Sequence, residues 1–203
     1  MTYNVVREQL YKRKNLVQEE EKMDTETFAD YILSEPNWVK KMEIVYYLQK
    51  RTGIFYDNSV VFKTMLAKQF LDRTNLGLDK NIILTACLLC NCKKTTNAQE
   101  LSKVKLFAKE GAEYLKKLGF SDRFCKICEG VNRYSYQEER EKESDVLELV
   151  DQFGGMLLSR PERVAFKVDE ALVLLEYRNL RDKNNRYLEQ FKKFVNEMEA
   201  VLI

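Results

Sequence analysis

The segment Asn81–Cys92, NIILTACLLCNC, carries apolar side chains on nearly every side of a helix. Such a helix has no face to offer water and is stable only at the centre of a domain, wrapped by other elements. It is interrupted by Thr85 and falls short of the roughly 18 apolar residues that a membrane span needs. The wrapping elements are constrained by the scarcity of turn residues: 7 Gly and 2 Pro in 203 residues. A β-sandwich or barrel needs many more. The chain therefore reads as an all-α bundle of about eight to ten helices.

Start and stop signals divide the chain accordingly. Asp24 or Thr25 offers an N-cap for a helix with Phe28, Tyr31 and Ile32, ended by Pro36. Pro36-Asn37 opens a second, with Gly53 as its C-cap. Asp57-Asn58-Ser59 caps a third carrying Val61, Met65, Leu66 and Phe70, stopped near Gly77, and Asp79 caps the apolar central helix. A long pattern from Leu101 to Leu118 follows, in which Gly111 predicts a bend or break and Gly119 an end. Ser121 caps a sixth helix, and a seventh bears Val146, Leu149, Val150 and Phe153. Two more run over about 169–181 and 185–201, beyond Ser159-Arg160-Pro161. Residues 1–54 read as an N-terminal helical extension and 55–203 as the main domain.

Charge and residue type exclude several function classes. Lys+Arg 34 against Asp+Glu 32 leaves a formal charge of +2, which gives nucleic acid or an anionic membrane no electrostatic foothold. The aromatic residues do not interleave with basic clusters, as a stacking platform for single strands would require. Histidine is absent, and with it the commonest general base and metal ligand. The charge runs Lys12–Lys14, Lys103/Lys105 and Glu138–Glu143 read as solvated faces. The first residues are charged throughout and lack the apolar core of a secretion signal, so a cytoplasmic location is expected.

Two Cys-x-x-Cys pairs, Cys87/Cys90 and Cys125/Cys128, with Cys92 nearby, have the spacing of a tetrahedral zinc site. Both pairs lie within apolar helical patterns and lack a Gly- and Pro-rich knuckle. Free cysteine behaves as a small buried hydrophobe, and packing is the favoured reading.

Three segments in order carry a resemblance. LTACLLCNCKK (Leu84–Lys94), FAKEGAEYLKKLGF (Phe107–Phe120) and DVLELVDQFGGMLLSRPER (Asp145–Arg163) resemble stretches of HD-domain metallophosphohydrolases of the HD-GYP subfamily. VDEALVLLEYRN and the helix through Phe191 fit the same family's ending. The resemblance covers residues 58 to about 180 and implies an HD-like helical fold for 55–203.

For chemistry the comparison is negative. The family holds two metal ions through His and Asp, which activate a bridging water for attack on a phosphate ester. Here the first His position falls at Asn58, the His-Asp pair at Cys90-Asn91, a later His at Phe107 and a His-His pair near Val131-Asn132. Asp151 and Lys94 alone match, Lys93 stands where a Gly should precede Lys94, and no Gly-Tyr-Pro follows. One carboxylate with amides and a thiol cannot neutralise two divalent cations.

The resemblance thus implies a catalytically inactive HD-like protein of bacterial signalling or regulation, without metal or other cofactor. It would act by binding a protein partner, a second copy, or a nucleotide or phosphate. The expected vestigial pocket comprises Asn58, Cys90, Asn91, Lys94, Asn132 and Asp151, with a Lys94–Asp151 ion pair, direct or through one amide. The alternative is a metal-dependent phosphohydrolase or phosphodiesterase with a site rebuilt around Cys90 and Asp151.

Overall fold

A computed structural model describes residues 27–94, 106–132, 140–160, 163–180 and 185–202. They form nine helices: α1 (Phe28–Ser34), α2 (Trp38–Thr52), α3 (Asn58–Arg73), α4 (Lys80–Leu89), α5 (Phe107–Lys117), α6 (Asp122–Glu129), α7 (Lys142–Met156), α8 (Val168–Leu180) and α9 (Leu188–Leu202). The only β pairing among the described residues is an isolated bridge between Arg160 and Arg163. The protein is all-α.

Most boundaries follow from side chains that complete unpaired backbone groups. Asn37, Asp57, Asp79 and Ser121 cap α2, α3, α4 and α6, each accepting from backbone N–H groups of the first turn. The cap of α1 is Thr27, later than either expected residue. Gly53 ends α2 at φ 68°. Gly111 does not break α5: it lies within a continuous helix, where an added Cβ would sit 3.4 Å from Cys92 Sγ. Its missing side chain serves the close approach of α5 to the end of α4. The segment 1–26, the basic runs Lys12–Lys14 and Lys103/Lys105, and the start of the long Leu101 pattern lie outside the described residues.

α4 is the hub, in contact with α1, α2, α3, α6 and α7. Leu88 and Leu89 are fully buried, as the all-round apolar pattern requires. Ala29, Ile32 and Val45 of the first two helices join the same hydrophobic core. α9 closes over α3 and α7 through an aromatic cluster. Phe191 meets Phe70 and Phe153 edge-on at centroid distances of 5.1 and 5.4 Å.

Of the run Glu138–Glu143, Glu138 and Glu139 lie outside the described residues, and Glu143, in the first turn of α7, is not a solvated face. Glu143 is buried, with its carboxylate 2.8 Å from Arg123, and Asp145 and Glu148 are buried as well. Arg140 bridges Asp145 at 2.6 Å and Glu148 at 2.8 Å, and Arg186 reaches Asp145 at 2.8 Å. This network ties both chain entries, before α7 and before α9, to one side of α7.

Candidate functional site

Buried residues of α3 recur at Val60, Lys63, Thr64, Ala67, Phe70 and Leu71. This helical spacing places Lys63 in the inward stripe, facing α7. Its side chain keeps only 5% exposure, and its ammonium lies 2.6 Å from Asp151 Oδ1. The stem reaches across α7 because that helix carries two glycines there. A Cβ on Gly154 would stand 2.9 Å from Lys63 Cγ, and one on Gly155 would stand 3.0 Å from Arg160 Nη2 and 3.8 Å from Lys63 Nζ.

Asp151 also accepts from Asn91 Nδ2 at 2.9 Å, in the turn that follows α4. The same amide nitrogen is 3.6 Å from Cys90 Sγ. Burial is the largest influence on Asp151 and by itself raises its pKa. The charges of Lys63 and Lys94, with hydrogen bonds from Lys63 and Asn91, outweigh burial and hold the carboxyl well below the usual carboxylate range. Asp151 is therefore an anion throughout the physiological range.

The expected contact between Lys94 and Asp151 is not the one formed: no ion pair joins them among the described residues, and Lys63 holds the carboxylate instead. The physical reason is reach. Lys63 projects from the helix packed directly on α7, whereas Lys94 lies beyond the end of α4 with its ammonium 5.4 Å from the centroid of the Phe107 ring. Asp151 remains the largest influence on Lys94 and favours its charged form. Burial and the like charges of Lys63 and Arg160 outweigh it, bringing the Lys94 pKa below the ordinary lysine value.

The expected pocket residues separate into two groups. Cys90, Asn91, Lys94 and Asp151 come together. Asn58 is exposed in the first turn of α3, and Asn132 is half-buried after α6; neither is a hydrogen-bond partner of Asp151. Sequence reasoning missed Lys63 and Arg160. For Lys63 a signal existed in its place in the Val60–Thr64–Ala67 stripe; for Arg160, in a loop, none did.

Two polar groups here stand out. Asn91 is 2% exposed, yet its Oδ1 is buried without a hydrogen-bond partner. The Arg160 guanidinium makes no hydrogen bond or ion pair among the described residues. The cluster thus contains three cations around one carboxylate, with one idle acceptor.

The donor set does not fit the metal centre that the family resemblance implies. Phe107 and Val131 offer no lone pair, and the Lys63 ammonium already holds Asp151. Among the described residues no group of three or more Cys, Asp or Glu side chains is placed to hold an ion. The five thiols are all buried. Those of Cys90, Cys92 and Cys125 lie 3.9 Å from the carbonyls of Cys87, Gly111 and Phe120. Burial pushes the pKa of every one upward, so none is a ready thiolate. Comparison with protein-family models, with curated proteins and with solved structures gives no match.

Proposed function

We propose that this chain is a non-catalytic, HD-like binding domain whose vestigial centre receives a phosphate-bearing ligand, in the service of signalling or regulation. One observation carries the reading: Lys63, Lys94 and Arg160 converge where Asp151 alone supplies negative charge. Lys63 compensates Asp151. Lys94, half-buried, and Arg160, exposed, then remain as two cations without a carboxylate of their own, placed to meet an anion.

A lysine ammonium in place of metal supports binding over hydrolysis. It neutralises one carboxylate but cannot lower the pKa of a water as a Lewis acid does. The test is calorimetric titration and thermal melting with inorganic phosphate, pyrophosphate and nucleoside monophosphates. At least one should bind, and saturation at about a hundredfold over its Kd should stabilise the fold by about 2.7 kcal/mol. Lys94→Ala and Arg160→Ala should each weaken that binding at least tenfold without lowering the unliganded melting temperature. Absence of binding by all of them, or binding indifferent to both substitutions, overturns the proposal. Metal-stimulated turnover of an aryl phosphate that is lost in Asp151→Asn would replace it with the phosphohydrolase alternative.

A further inference from the structure

The three cations of the Asp151 cluster come from different elements, and each is placed by contacts of its own. Lys63 reaches the carboxylate from α3. Lys94 closes the turn after α4: its backbone N–H donates at 2.8 Å to the Asn91 carbonyl, and the Asn91 amide holds Asp151. Arg160, beyond α7, is placed by Arg163. The Arg163 guanidinium donates to the carbonyls of Gly155 at 2.7 Å and Met156 at 3.2 Å, which the end of α7 leaves without helical partners. Backbone hydrogen bonds of 2.8 and 3.1 Å, one in each direction between Arg160 and Arg163, then fix the turn. Gly155 completes the seat, because the place its Cβ would take is 3.0 Å from Arg160 Nη2 and 3.8 Å from Lys63 Nζ.

The charges so gathered do not cancel. Lys63, Lys94 and Arg160 bring three positive charges and Asp151 one negative, and Lys94 feels the other three together. The Cys87 and Cys90 thiols nearby are kept neutral by burial. Two positive charges are left over. Lys63, at 5% exposure, adds its charge from beneath, while Lys94 is half-buried and Arg160 exposed, so an anion meets the excess from the solvent side. An anion of one charge matches half of that excess; a dianion matches all of it.

Resting on the phosphate reading, we infer that the ligand presents a terminal phosphate monoester bound as its dianion, and that phosphodiesters are discriminated against. A monoester carries about −1.5 to −2 charge at neutral pH and has three strong acceptor oxygens. A diester has one charge fewer and one such oxygen fewer. The monoester therefore offers Lys94 and Arg160 a charge each, with charge-assisted hydrogen bonds to both.

Calorimetric titration of the full chain with methyl phosphate, dimethyl phosphate and sulfate tests this. Near neutral pH, methyl phosphate and sulfate should bind, and dimethyl phosphate should bind about tenfold more weakly, the worth of one charge-assisted hydrogen bond. At about pH 5, below its second pKa of about 6, methyl phosphate should itself weaken about tenfold, while sulfate, a dianion throughout, should not change. In Lys94→Gln, which has one positive charge fewer, the preference for methyl over dimethyl phosphate should disappear. Dimethyl phosphate bound as tightly as methyl phosphate overturns this inference and leaves the phosphate reading standing; binding by none of the three overturns both. Methyl phosphate indifferent to pH, a pH loss that sulfate shares, or a preference that survives Lys94→Gln also overturns it.

Discussion

Lys41 and Lys63 are both buried lysines, and they solve the desolvation problem differently. Lys63 has a carboxylate. Lys41, fully buried, donates to the Ile32 carbonyl and, at 2.8 Å, to Thr85 Oγ1. Burial lowers its pKa from 10.5 to about 8, against the raising influence of Glu35 and Asp79. A folded-state value below the unfolded one means that the unfolded chain binds more protons between about pH 8 and 10.5, so this residue makes stability rise with pH there. The thiols act oppositely. Their folded-state pKa values are raised, Cys92 to about 12, so the stability they lend is complete below the unfolded value near 9 and is lost as pH climbs above it. Each contributes a slope of about 1.4 kcal/mol per pH unit. Denaturant titrations should therefore show stability falling above about pH 9, and falling more steeply in Lys41→Met, which lacks the offset. A Lys41→Met curve parallel to wild type would mean that Lys41 stays charged in the folded state. Neither lysine was recognisable as buried from residue type, since lysine is almost never buried without a partner.

Among the helices, those with polar caps and Gly ends were legible in sequence: Asn37, Asp57, Asp79, Ser121 and Gly53 all act where the local signals place them. Gly111 misled, because a mid-helix glycine signals either a break or a close approach and only the neighbour, here Cys92, decides which. Gly154 belongs to the second kind. Ala there would gain about 1 kcal/mol of helix propensity, but its Cβ would meet the Lys63 stem at 2.9 Å. Gly154→Ala should lower wild-type stability by about 1–3 kcal/mol, the usual cost of overpacking. In a Lys63→Ala background the same substitution should be neutral or stabilising, because the colliding stem is gone. Equal effects in both backgrounds, measured by chemical denaturation, would show that the α3–α7 approach is not set by this contact.

For the whole molecule, the all-α class and the central place of α4 followed from one apolar segment and the rarity of turn residues. The candidate site was half legible. Asn91, Lys94 and Asp151 could be named as residue types in an ordered pattern. Which cation meets Asp151 could not, because Lys63 lies 88 positions away, and its place in the Val60–Thr64–Ala67 stripe marks it as inward without naming its partner. The central claim is that the Lys63 ammonium and the Asp151 carboxylate sustain one another between α3 and α7. A double-mutant cycle in folding free energy tests it most directly. Lys63→Met and Asp151→Leu should each cost about 3–5 kcal/mol, since each leaves a buried charge uncompensated, and the double variant should cost far less than their sum. Single losses that add to within about 0.5 kcal/mol would contradict the account, because they would mean that Lys63 and Asp151 do not sustain one another.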